Sequence, residues 1–415
     1  MDSIPPDHEL INAQDPQALT RLLNLPEFVV THLEVAHWLG WRVFHVRAQA
    51  ASAPCPRCQH VCTHVHQYHS RSVRDVPYNG QTCWLQVSVR RFKCPRCRRP
   101  FTEQFATLPR RARTTPRYAA HLVAACRQSS LAAVARREAV GYKTVDSVYY
   151  QAAAAAHPGG APPGPVRRLG IDEIALRKGQ GHYRLVLSDL DRGCVIAVLA
   201  NREQATLVAY LGTWSSEARA AVTDVALDFW APYHGAVRAT LPGARITGDR
   251  FHLMRHVTAA VNRVRRREAR RLSAEDRAEV QASRWLWLKN EADLGIAEQV
   301  RLIVIGAALP ALERAHALKE RLRAILETAP DRATGEQELR GWVEAVAASK
   351  ERAWGPVVKL VRRWWEVITN YFEGRLSSGK VEGLNTKIKL IKRQAFGFRN
   401  DEHFRLRVLM ECDGT

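Results

Sequence analysis

Two CPRC quartets, at 55–58 and 94–97, set Cys55, Cys58, Cys94 and Cys97 in C-x-x-C spacing with 35 residues between them. Each knuckle points two thiolates at one point, and two knuckles complete a tetrahedral zinc shell. Four cysteine ligands leave no open coordination position, so the expected Zn²⁺ is structural. Cys62, His64, His66 and His69 lie between the knuckles as alternative ligands or a second site.

A second set of residues is acidic. Asp172 sits in the apolar run LGIDEIAL, where a carboxylate without a role is costly. Asp228 closes VTDVALDF, Asp249 closes RITGD, and Glu382 is the only acid in SSGKVEGLNTKIKLIKRQAFGFR. Convergent carboxylates suit hard cations such as Mg²⁺ or Mn²⁺. Three of them can hold two ions about 3.5–4 Å apart, an arrangement that activates an attacking oxygen and stabilises a leaving 3′ oxygen in phosphodiester chemistry.

Each acid also has an ordinary reading. Asp172 and Glu173 could pair with Arg167, Arg168 or Arg177; Asp224 and Asp228 could be strand-end turn residues; Asp249 could cap a helix beginning near Phe251. Glu382 is out of register for a capping box, because Gly379 stands where the box needs Ser or Thr. On a helix, Val381, Leu384, Ile388, Ile391 and Ala395 form an apolar stripe. Glu382, Asn385, Lys389 and Arg393 share another face, so a metal-holding carboxylate would head a polar, basic surface. Asn385, Lys389, Lys392 and Arg393 are then the expected DNA contacts of this helix.

The elements that must position these residues follow from periodicity. Residues 1–50 read as an N-terminal helix and strands, and 51–110 as the zinc ribbon, with a hairpin turning at Asn79-Gly80. Residues 111–156 read as a helix-turn-helix: a break at 139–142, then a helix from Lys143 that places Lys143, Thr144 and Ser147 near the major groove. The basic run RRARTTPR just before it fits phosphate contacts. HPGGAPPGPVRR, 157–168, is a linker. Beyond it come three strands, then helix, strand, helix, strand, a mixed α/β sheet of ribonuclease H-like order in which the first and fourth strands are neighbours. From 251 to 372 the chain reads as helical, Arg-rich and Trp-rich. Within it, RHVTAAVNRVRRREARRL, 255–272, is a candidate lining for a DNA path, and the tryptophans read as packing.

Composition agrees with a polyanionic partner. Lys plus Arg number 62 against 41 Asp plus Glu, a formal net charge of +21. No apolar run reaches membrane-spanning length, the N-terminus is no secretory signal, and nine cysteines with paired C-x-x-C spacing fit a reducing cytoplasm better than disulfides.

Together, CPRC…RRFKCPRCRRPFTE, LGIDEIALRKGQGHY, ALDFWAPYHGAVRATLPGARITGDRFHLMRHV and SSGKVEGLNTKIKLIKRQAFGFRNDEHFRLRVL resemble the bacterial transposases of the ISL-three insertion-sequence family over nearly the whole chain. The resemblance implies a DDE-type enzyme: an α/β multidomain chain whose ribonuclease H-like core (169–255 and 371–415) is interrupted by an all-α insertion (256–370). It makes Asp172 the first acid and Glu382 the last. Asp228 holds the strand-four position of the middle acid; Asp249, with His252 in a D-x-x-H spacing similar to that of Mutator-like relatives, is the alternative or a support. It also implies double-stranded DNA partners (terminal inverted repeats and target), at least a dimer on DNA, and a bacterial cytoplasmic location at the nucleoid. The helix-turn-helix departs from the family pattern, with Ala139 where the turn glycine is expected and Gly141 two residues later. A DNA-binding regulator without catalysis, or a metal-dependent nuclease without strand transfer, are the competing readings.

Overall fold

The computed structural model describes residues 15–36, 39–160, 162, 164–177, 182–376 and 379–414. The chain divides into two compact units, Met1–Ala155 and Ala156–Thr415, at the head of the Pro- and Gly-rich run.

In the first unit, Asp15 caps α1 (Pro16–Leu23) by accepting the Gln17 and Ala18 amides. Leu19 and Leu23 pack this helix onto a sheet. Its strands are β1 (Phe28–Ala36) and β2 (Trp41–Ala48), then, after the short ribbon β3 (Ala53–Pro54) and β4 (Val61–Cys62), β5 (Val65–Tyr78), β6 (Gln81–Lys93) and β7 (Pro100–Thr102). The order is β1-β2-β6-β5, with β7 on β6. The boundary expected at 50/51 therefore falls inside one sheet, because β2 pairs in parallel with β6 of the cysteine-bearing hairpin. The hairpin turns at Asn79-Gly80 as expected, with φ of 49° and 73°, the positive values a two-residue turn requires.

Three helices complete this unit: α2 (Pro116–Cys126), α3 (Leu131–Arg137) and α4 (Tyr142–Ala156). The α3–α4 turn forms without its glycine: Ala139 itself takes φ 49°, at a steric cost of about 1–2 kcal/mol. Buried side chains on β5 tie the start of α2 and this turn to the sheet. Asp75 accepts hydrogen bonds from Thr115, 2.6 Å, and Arg117 Nε, 2.7 Å. Arg74, also buried, donates to the Glu138 carbonyl beside Ala139 at 3.0 Å.

The second unit is built on β8 (Arg168–Ala175), β9 (Tyr183–Asp189), β10 (Cys194–Leu199), β11 (Asp224–Leu227) and β12 (Arg245–Gly248). The order is β10-β9-β8-β11-β12. β8, β9 and β10 are antiparallel, and β8, β11 and β12 are parallel, so the first and fourth strands are neighbours as expected. Helices α5 (Gln204–Gly212), α6 (Ser216–Ala220) and α7 (Ala231–Thr240) make the crossovers; α6 was not expected. Leu169, Ile171 and Val225 face Leu207, Tyr233 and Val237 on one side of the sheet. On the other, Ile174, Val186 and Val198 face Leu384, Ile388, Phe404 and Val408 of α17 (Gly379–Gln394) and α18 (Asp401–Glu411). The stripe read from the sequence is the face that packs.

Between β12 and α17 lie helices and no strand among the described residues: α8 (Arg250–Ala269), α9 (Ala274–Ala282), α10 (Arg284–Leu288), α11 (Ile296–Ala308), α12 (Pro310–Thr328), α13 (Arg332–Ala348), α14 (Gly355–Arg363), α15 (Trp365–Thr369) and α16 (Tyr371–Gly374). Trp287, Trp342 and Trp354 are fully buried here, and Trp342 meets Trp354 edge-on at 5.7 Å, which makes them packing residues as expected. Trp285 is exposed. Lys319 is buried too; its ammonium donates to the Trp287 carbonyl at 2.9 Å and pairs with Glu320 at 2.6 Å, so a cation closes the carboxyl end of α10.

His316 packs edge-on to Trp287, ring centroids 5.6 Å apart. Burial first, then the Lys319 charge, pushes its pKa down to about 4. The unfolded chain therefore takes up this proton near pH 6.5, well before the folded chain does. The stability His316 contributes is complete above that pH and falls as the pH drops toward 4. Between pH 7 and 5 the loss should be about 2 kcal/mol in urea unfolding. His316→Gln should flatten that part of the curve; an unchanged slope would place the acid sensitivity elsewhere.

Candidate active site

The parallel strands bring the acids into one row. Ala226 stands opposite Gly170 on one side and Thr247 on the other. Two residues further along each strand are Asp228, Asp172 and Asp249. Side chains two apart share a face, so the three carboxylates leave the sheet on the same side, one strand spacing apart. They line one small cleft together with Ile171, Ala226, Leu227 and Val381.

Each carboxylate is held by a local donor. Asp172 accepts the Glu173 amide at 2.7 Å, Asp228 the Phe229 amide at 2.6 Å, and Asp249 the Phe251 amide at 2.7 Å. Asp249 is thus the helix cap that the sequence allowed. Its second oxygen meets His252 Nδ1 at 2.8 Å, while His252 Nε2 lies 3.6 Å from Asp228. One imidazole therefore stands between two of the acids. Burial opposes its charge, but the Asp249 hydrogen bond and the charges of Asp228, Asp249 and Asp172 together raise its pKa. Burial, first of all, raises that of Asp172. Glu173 pairs with Arg202 at 3.2 Å rather than with Arg167, Arg168 or Arg177, and Asp224, read as a strand-end turn residue, pairs with Arg245 at 2.7 Å.

Helix α17 arrives over this row. Val381 lines the cleft, and Asn385, buried, donates its amide to the second oxygen of Asp172. Asn385 therefore leaves the DNA-facing set in which the sequence reading placed it. Its signal in the sequence was its spacing three residues after Glu382, on the same side of the helix. Glu382 is exposed on the first turn, next to Val381. Among the described residues, no three ligand atoms of this acidic row lie within 4.8 Å of one another. Lys389 and Arg393 are exposed, whereas Lys392 is half-buried and donates to the Ala175 carbonyl.

Two glycines set the approach of neighbouring elements. A Cβ on Gly170 would stand 2.6 Å from Ser188 Oγ and 2.8 Å from both Leu190 and Val381. One on Gly248 would stand 2.4 Å from the ring of Phe229, the residue after Asp228.

In the first unit, Cys55, Cys58, Cys94 and Cys97 place all four sulfurs within 4.8 Å of one another, and among the described residues no other His, Cys, Asp or Glu group does so. Cys62 instead faces the His60 carbonyl at 3.6 Å. The knuckles repeat one geometry: Gln59 and Arg98, each four residues after the first cysteine, have φ of 57° and 55°. The Cys58 and Arg57 amides aim at Cys55, and those of Cys97 and Arg96 at Cys94, and this lowers both thiol pKa values. Peptide dipoles are thus oriented for thiolate ligands.

On α4, Lys143 and Ser147 are exposed and Thr144 half-buried, opposite a buried face of Val145, Tyr149 and Ala153. The neighbouring basic segments are less free than their sequence suggests. Arg117 is consumed by Asp75. On α8, Arg265 is buried and donates to the Val280 carbonyl, and Arg267 pairs with Glu351 at 2.7 Å; Arg255, Arg266 and Arg270 remain exposed. Helix α8 is therefore packing on one side and a cationic surface on the other.

Comparison with known proteins covers these parts in order. Residues 51–97 match a family described as the zinc-finger of transposase IS204/IS1001/IS1096/IS1165. Residues 104–153 match the helix-turn-helix domain of transposase family ISL3, and residues 169–408 match a family described as transposase. The chain is 29% identical over 368 residues to the transposase for insertion sequence element IS1001 of Bordetella parapertussis, covering 87% of this chain and 89% of that protein. It is 27% identical over 260 residues to the transposase for insertion sequence element IS1557 of Mycobacterium tuberculosis, covering 57% and 58%.

Gly170→Ala should cost about 1–3 kcal/mol by overpacking and push α17 away from Asp172. Gly243→Ala, whose Cβ meets nothing within 4 Å, is the control. Urea unfolding of both checks this; equal stabilities would mean that α17 does not depend on the close approach.

Proposed function

This chain belongs to the ISL3 family of insertion-sequence transposases, and on that premise we propose that one carboxylate site both frees the ends of a DNA element and joins them to a target. The observation that carries the reading is the row Asp172–Asp228–Asp249 on three parallel strands, met by the helix that bears Glu382.

In this reading Asp172 and Asp228, with Glu382 from α17, are the ligands of Mg²⁺ or Mn²⁺. Hard oxygen donors on adjacent strands fit such an ion. Bound there, the metal would polarise the scissile phosphate and activate the attacking oxygen. Asp228 is favoured over Asp249 as the middle acid because Asp249 spends one oxygen on the α8 cap and the other on His252. His252 then holds the Asp228 carboxylate in place, and Asn385 does the same for Asp172. Water adds to the phosphorus and the bond to the 3′ oxygen breaks, leaving a 3′-OH. That oxygen then attacks a target phosphate and displaces its 3′ oxygen, with no protein–DNA bond formed. The same three-carboxylate grip serves both steps, since each is an in-line displacement at phosphorus.

The four thiols of the ribbon fit Zn²⁺, which would fix the β5–β6 arm rather than take part in chemistry. The ribbon and α4 bind the terminal inverted repeats, with Lys143, Thr144 and Ser147 toward the bases. Lys389 and Arg393, with the exposed side of α8, hold phosphates, so affinity falls as salt rises.

A pre-cleaved element end, target DNA and Mg²⁺ test the chemistry. Wild type should give joined product. Asp172→Asn, Asp228→Asn and Glu382→Gln should each lower joining by about 10³-fold or more while retaining repeat binding; Asp249→Asn should lower it less. Joining by all three variants at the wild-type rate would sink the site assignment. Hydrolysis without joining would make the protein a nuclease, and binding without either a regulator.

Metal analysis of the purified chain should find about one zinc per molecule. Cys94→Ser should lose it together with inverted-repeat binding; a wild-type chain free of zinc would remove the metal from the ribbon.

A further inference from the structure

Helix α17 ends on an exposed ring. Phe396 is 95% exposed, and among the described residues no large apolar side chain is more so. Its backbone is strained as well. The helix closes with the Phe396 amide donating to the Arg393 carbonyl and the Gly397 amide to the Lys392 carbonyl, both at 3.0 Å. Such an ending calls for a left-handed residue, ordinarily glycine. Here Phe396 takes that conformation, with φ 53°, although Gly397 stands next to it at φ 94°. Two residues on, Phe398 turns inward against Phe404, ring centroids 5.3 Å apart. The turn is thus anchored by one phenylalanine while it presents another. A ring held in water on a left-handed backbone is unfavourable on two counts, and local strain of this kind clusters where it serves a function.

The surface leading to the ring says what it meets. Glu382, Thr386, Lys389, Arg393 and Phe396 recur at intervals of four, three, four and three, so they form one line along the helix. All five are exposed, and so are Lys387 and Arg399. The line starts at a carboxylate, passes two cations and ends on the ring. Cations that hold phosphates, followed by an aromatic side chain that can enter a base stack, are complementary to duplex DNA.

We infer that Phe396 is a wedge that inserts between two base pairs of the bound element end. Its register follows from helix geometry. Residues 382 and 396 are 14 apart in sequence, which at a helical rise of 1.5 Å per residue puts the ring about 21 Å from Glu382 along α17. That is about six base-pair steps of 3.4 Å. The register rests on the proposed role of Glu382 as a metal ligand at the scissile phosphate; the insertion itself does not. Opening one step kinks the duplex, and the phosphates between that step and the cleaved bond then lie along Lys389 and Arg393.

The probe is a duplex of the element end, bound to the full chain without Mg²⁺ so that no strand is cut, with a single mismatch moved along it. A mismatch makes its own step easier to open. Wild type should bind most tightly, by about fivefold or more over the other positions, when the mismatch lies roughly five to seven base pairs from the scissile phosphate. Phe396→Ala should bind equally wherever the mismatch lies, and Phe396→Leu, a smaller apolar wedge, should keep part of the preference. Phe396→Gly should lose the preference while its melting temperature stays at or above that of wild type, because glycine takes the left-handed conformation without strain; this separates loss of the wedge from loss of the fold. A flat wild-type profile overturns the inference. So does a preference that Phe396→Ala retains, or a wild-type peak at another distance. Because no strand is cut, a wild-type chain that fails to join DNA would sink the proposed chemistry and leave this profile readable.

Discussion

Three carboxylates on neighbouring parallel strands, about 4.8 Å apart by strand spacing, repel one another. Most of what surrounds them in the second unit answers that repulsion. Peptide amides of Glu173, Phe229 and Phe251 each donate to one acid, His252 stands between two, and Asn385 takes the remaining oxygen of Asp172. Burial still raises the pKa of Asp172. On the proposed function, a cation entering the site would relieve that repulsion. The demand reaches outward as well: α17 can bring Asn385 to Asp172 only because Gly170 has no side chain.

The positive charge has a similar division of labour. A net charge of +21 suggests a chain coated in cations, yet many arginines are structural. Arg74 and Arg265 are buried, Arg117 serves Asp75, and Arg407 pairs with Glu411 in the interior at 3.0 Å. Planar guanidinium groups suit this task because one side chain can satisfy several carbonyls or a carboxylate at once. The exposed cations, among them Arg96, Arg110, Lys143, Arg255 and Lys389, are only part of that total, so net charge alone does not single out contact residues.

Much of this was legible in the sequence. The five strands of the second unit are short apolar runs bounded by turn residues, and their order let the first and fourth be placed side by side. The cysteine quartets could be read from spacing alone. Other features could not be. That β2, which precedes the 50/51 boundary, pairs in parallel with β6 of the cysteine-bearing hairpin is a long-range choice that no local pattern encodes. The α3–α4 turn needed a left-handed residue, and Ala139 supplies it where propensity would name glycine. Asn385 was assigned to DNA because a helical wheel gives faces but not which neighbour each face meets. Arg117 and Arg265 looked like phosphate ligands because their buried acceptors come from distant parts of the chain.

The hydrogen bond from Asn385 to Asp172 joins residues 213 positions apart. During synthesis the chain emerges from its amino end, and domains fold in that order. The ribbon and the helix-turn-helix are complete by residue 156, while Asp172 must wait for α17, close to the end of translation. A ribosome therefore carries, for most of its passage along the message, a chain whose first unit is whole and whose acidic row is unfinished. Any product broken off before α17 is left in that state, with a complete amino-terminal unit and no partner for Asp172.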